Sequence, residues 1–99
     1  MVNFKISLTK SAQGDILVNG NYVSGNEPVL VERVNVVELD STGNTIGATT
    51  YRLNMNIDPT PGNYLLVSQT PSGSNVKAAR ATAYYIGIDK TAQAPILNL

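Results

Sequence analysis

Few side chains in this chain can do chemistry. Its 99 residues include no His, no Cys and no Trp, which removes imidazole bases, thiolate nucleophiles, disulfides and most zinc sites. The bases that remain are seven carboxylates: Asp15, Glu27, Glu32, Glu38, Asp40, Asp58 and Asp89. Hydrolysis needs a nucleophile beside a base, or two carboxylates about 5–10 Å apart. Asp15, Glu27, Asp40, Asp58 and Asp89 stand in or beside turn sequences, where Asp is favoured for bonding to local backbone alone. Glu32 and Glu38 share strand parity, but six residues of strand separate them by about 20 Å. No enzyme is expected.

Ligand chemistry is equally sparse. Asp40-Ser41-Thr42-Gly43-Asn44 gathers oxygen atoms in one loop. It lacks the Asp/Asn alternation and terminal bidentate Glu of a calcium loop, and reads as a β-turn. Asp58, beside two prolines, reads as a turn too. No Gly-x-Gly-x-x-Gly and no Gly-Lys-Ser/Thr occurs, so no nucleotide cofactor is expected. Lys77 and Arg80 neighbour Tyr84 and Tyr85, as in single-strand binders. Seven cations against seven anions give zero net charge, too little positive potential to hold nucleic acid at physiological salt. Carbohydrate is the stronger ligand reading, because five tyrosines accompany eleven Asn and nine Thr. Tyr51 and Tyr64 fall in core phase, which leaves Tyr22, Tyr84 and Tyr85 for a stacking platform. Tyr84 and Tyr85, being adjacent on a strand, cannot both point inward.

The elements that must position these groups are strands. Val2, Phe4, Ile6 and Leu8 alternate with Asn3, Lys5, Ser7 and Thr9, the pattern of a half-buried strand. Ile16–Val18 and Tyr22–Val23 flank Asn19-Gly20-Asn21, which predicts a tight hairpin. From Val29 to Leu39 the valine phase slips, predicting a bulge near Arg33 or a strand covered on both faces. Thr45 to Ile57 alternates cleanly, with Tyr51, Leu53, Met55 and Ile57 on one side. Asp58-Pro59-Thr60-Pro61-Gly62-Asn63 turns into Tyr64-Leu65-Leu66-Val67. Val76 to Ile88 mixes four alanines with Thr, Tyr and Ile, and we read it as a strand whose small residues admit a close neighbour.

About seven short strands, one every 10–14 residues, with Gly, Pro and Asn turns between them, predict an all-β protein. We expect one antiparallel β-sandwich domain over residues 1–99, with 90–99 as a docking tail. The Val-rich strand, the Asp-x-x-Gly-Asn turn, the Tyr-centred strand and the Pro-Gly-Asn-Tyr segment between Val34 and Val67 resemble immunoglobulin-like and fibronectin-type sandwiches. The resemblance covers about a third of the chain and implies fold, not function. The Cys-Trp-Cys core of immunoglobulin domains is absent.

No stretch reaches the roughly 18 apolar residues of a membrane span, and the alternating start does not resemble a secretory signal. A soluble chain is expected, without membrane partners. Low charge and abundant Asn, Thr and Ser are a composition associated with extracellular modules, appendages and virion components. The segments Tyr64–Gln69 and Ala83–Ile88 carry no charge, whereas exposed edge strands are normally guarded by charge, Pro or bulges. The apolar tail Pro95-Ile96-Leu97-Asn98-Leu99 either closes its own sheet or reaches a neighbour's. We therefore expect a non-enzymatic module that associates with itself or another protein through Tyr84, Tyr85, Ile86, Ile96, Leu97 and Leu99. The alternative is a glycan- or cell-surface-binding domain using Tyr22, Tyr84 or Tyr85.

Overall fold

A computed structural model describes residues 2–86 and 91–99. Their regular structure is all strand: β1 (Asn3–Lys10), β2 (Ile16–Ser24), β3 (Val29–Leu39), β4 (Thr45–Ile57), β5 (Gly62–Gln69), β6 (Ala78–Ile86), β7 (Thr91–Gln93) and β8 (Leu97–Asn98). The expected small β-sandwich is what forms. A small sheet in the order β1-β2-β5 faces a large sheet in the order β4-β3-β6-β7, and β8 also pairs with β6. All pairings are antiparallel.

Alternation builds the core. Phe4, Ile6 and Leu8 of β1 and Ile16, Val18 and Tyr22 of β2 meet Val29, Val31, Val34 and Val36 of β3. Ala79, Ala81 and Ala83 are at most 2% exposed, so the alanine-rich segment is a strand whose small inward side chains lie beneath the facing sheet. Phe4 packs edge-on against Tyr22 and Tyr85, with ring centroids 6.2 and 5.5 Å apart.

The valine phase slip is a bulge. On β6 the inward positions run Tyr85 to Ala83, two steps; on β3, Val31 to Val34, three; on β4, Met55 to Tyr51, four. Each strand towards the β4 edge thus takes one more residue across the same line, and the sheet bends there. Asn54 absorbs the extra residue on β4 with a φ of 46°. The slip also parts the two strand glutamates expected to share a face: Glu38 turns inward with Val34 and Val36, while Glu32 remains half exposed.

The expected hairpin at Asn19-Gly20 does not form. β2 runs unbroken through it and pairs with β1 and β5 on either side. Gly20 serves packing instead: a Cβ there would stand 2.5 Å from Cζ of Phe4. An interior glycine in a strand often marks such a close approach, and here the Phe4 ring lies over bare backbone.

Candidate functional site

The residues singled out for assembly or binding do not come together in one place. Tyr22 is fully buried, and its hydroxyl donates to the Glu27 carbonyl at 2.7 Å. Tyr85 is 6% exposed and belongs to the core. Neither offers a face to a sugar, which leaves Tyr84 of the three tyrosines named for a glycan site. Buried rings of this size gain more from apolar contact than from an exposed stacking role. Tyr84 points outward, with the Arg33 guanidinium 4.0 Å from its centroid.

The tail closes its own sheet. Leu97 and Asn98 pair with Ala79 and Ala78, and the Leu99 amide donates to the Lys77 carbonyl at 3.0 Å. Leu97 and Leu99 pack against the core, while Ile96 is 59% exposed. Because β7 lies along β6, the uncharged run beginning at Ala83 is paired on both sides as far as Tyr84, and Tyr85 and Ile86 pair with β3. Ile86 itself points out, 52% exposed. The remainder of that run, with Asp89 and Lys90, falls outside the described residues.

The other uncharged segment is an edge. β5 borders the small sheet and carries no Lys, Arg, Asp or Glu along Gly62–Gln69. Leu65, on its outer face, is 56% exposed. Opposite β5, the inner-face side chains Tyr51, Leu53 and Met55 of β4 are only half buried. The small sheet has three strands where the large one has four plus a tail, so the rim of the core beside β4 is incompletely covered.

Inside that rim lies a polar network that the sequence reading missed. Glu38 is 4% exposed and has no cationic partner among the described residues. Its carboxylate accepts from Gln69 Nε2 at 3.2 Å, Ser72 N at 3.0 Å and Ser72 Oγ at 2.7 Å. Tyr51 donates to Gln69 Oε1 at 2.6 Å. Burial, followed by the nearby Glu38 charge, raises the Tyr51 hydroxyl above its ordinary pKa. The signal was present in sequence, since Glu38 continues the parity of Val34 and Val36. The network ties β3, β4, β5 and the loop after β5 together.

The Asp40 loop is the turn expected of it. Asp40 Oδ1 accepts from Thr42 N, Thr42 Oγ1 and Asn44 N, and Gly43 adopts a φ of 85°. The Thr42 hydroxyl bond, then the Asn44 amide, hold this exposed carboxyl below its ordinary pKa. Among the described residues, no three of His, Cys, Asp or Glu are grouped to hold a metal ion, and no helix is long and apolar enough to cross a membrane.

Grooves mark the surface of the described residues. One, of about 450 Å³, lies on the outer face of the large sheet among Asn35, Val37, Arg80, Thr82, Tyr84 and Gln93. The second, of about 480 Å³, follows β1 and the tail past Phe4, Ile6, Ala92 and Pro95. No protein-family model, curated protein or solved structure matches the chain.

Proposed function

We propose that this protein is a non-enzymatic assembly module that associates with a second copy of itself through β5. The observation carrying this reading is that β5 is an uncharged edge beside an incompletely covered core rim. An edge strand presents unpaired backbone donors and acceptors to any strand laid alongside. A two-fold axis beside β5 brings the uncharged strand against itself without like-charge repulsion. Three strands then become a continuous six-stranded sheet. Tyr64 of each copy extends cover towards Tyr51, Leu53 and Met55 of the other. Zero net charge lowers long-range repulsion between copies.

The occupant is a second copy rather than the tail, because Leu97 and Leu99 are already engaged on β6. The strand order supports the fibronectin-type likeness more than the constant-type immunoglobulin one. In the latter the fourth strand would extend the sheet containing β5, whereas β4 here pairs with β3.

Light scattering after size exclusion tests the reading. The full chain is expected to run at twice its 10.5 kDa mass or above, and Leu65→Lys to return it to monomer with unchanged circular dichroism. Leu65 is exposed, so the variant leaves the core alone. A wild-type monomer across the micromolar to millimolar range, or a dimer indifferent to Leu65→Lys, overturns the β5 interface.

A further inference from the structure

The outer face of the large sheet is organised into cross-strand rows. Register places Arg52, Arg33, Tyr84 and Thr91 in one row; Thr50, Asn35, Thr82 and Gln93 in the next; and Ala48, Val37 and Arg80 in a third. Two cationic ends thus bracket a band of hydroxyls and amides. Four residues along β3 separate the outer rows, about 14 Å at strand rise. The groove of about 450 Å³ occupies the middle row and the Arg80 side, within the size range of small-ligand sites.

Three details show that this face is not fully satisfied by the fold. Arg33 and Arg52 stand directly opposite one another, a placement that costs stability without a counter-charge. Only Arg33 has an ion-pair partner among the described residues, Glu32 at 2.7 Å, which leaves Arg52 and Arg80 without one. On the groove floor, the buried Asn35 Oδ1 has no hydrogen-bond partner among the described residues.

We infer that this face binds an acidic oligosaccharide, a carboxylate-bearing sugar chain lying across the rows from Arg52 to Arg80. Guanidinium groups at both ends take the carboxylates. Thr82, Gln93 and Asn35 meet ring hydroxyls between them, with Asn35 Oδ1 accepting once its amide turns into the groove. A single small anion does not span rows about 14 Å apart along the strands. A nucleic-acid strand is disfavoured because Tyr84, the one aromatic ring in the groove, already has Arg33 over a face, so successive bases have no stacking platform.

The test is an amide and side-chain NMR titration of the ¹⁵N-labelled full chain with four probes: a tetrameric oligogalacturonate, neutral maltotetraose, inorganic phosphate and oligo-dT. Saturable shifts with oligogalacturonate at Asn35, Arg80, Thr82, Tyr84 and Gln93 are expected, at least tenfold tighter than with maltotetraose and weakening with salt. Arg80→Gln and Thr82→Val should each weaken binding several-fold, and Lys5→Gln on the opposite sheet should not. Both mutated groove positions lie on the outer face, so the spectrum of the free variants reports folding directly. No shifts at these residues, equal response to phosphate, preference for oligo-dT, or insensitivity to Arg80→Gln would each overturn the assignment.

Discussion

At the residue scale, Glu38 and Tyr51 give the clearest physical expectation. Tyr51 is held neutral above its ordinary pKa of 10.0, first by burial and then by Glu38. In the unfolded chain the same hydroxyl ionises near the ordinary value, so above about pH 10 the unfolded state binds fewer protons than the folded one. Stability therefore falls as pH rises from there towards the folded pKa. Absorbance at 295 nm is expected to contain a tyrosine step above the ordinary value that is lost in Tyr51→Phe. Glu38→Gln should move it only part-way back, because desolvation is the larger cause. Glu38→Ala strands Ser72 and Gln69 donors beside the core and should cost about 1–3 kcal/mol in urea unfolding. A carboxylate following valines in phase was visible in the sequence. Its partners were not, because Gln69 and Ser72 lie more than thirty positions away.

At the scale of elements, Gly20 and the tail show how packing decides what local patterns leave open. Asn-Gly is strong turn chemistry, yet β2 passes straight through it, paired on both sides. The deciding contact is Phe4, whose ring occupies the space a Cβ would need. Gly20→Ala should cost about 1–3 kcal/mol through overpacking and disturb the Phe4 ring resonances; a neutral effect would refute this role. The tail invites a comparison of two outcomes. Ending the chain at Ala94 removes β8 and the apolar contacts of Leu97 and Leu99. Thermal unfolding should shift down by roughly 10–20 °C, as expected for loss of about 2–3 kcal/mol in a domain of this length. Association should persist, provided the truncated chain is assayed below its own transition. Dissociation without loss of stability would restore the tail as the interface.

For the molecule as a whole, strand identity was legible in the sequence because alternation is a local consequence of burying one face. The first strand, the Tyr51–Ile57 alternation, the slip near Arg33 and the strand nature of the alanine-rich segment all follow from it. The sequence by itself also determined that the chain carries no histidine, cysteine or net charge, and where its turns could fall. Tertiary structure alone decided which uncharged strand became an edge, because edge status depends on sheet order and not on the strand's own residues. β5 was left at the border, while β6 was covered by the returning tail. It also decided which tyrosines were consumed by the core. Tyr22 and Tyr85 were drawn in around Phe4, and Tyr84 was turned out to Arg33. Neighbours across a sheet are set by register between distant segments, so the face that gathers Arg52, Asn35 and Arg80 from three successive rows exists only once the strands have paired.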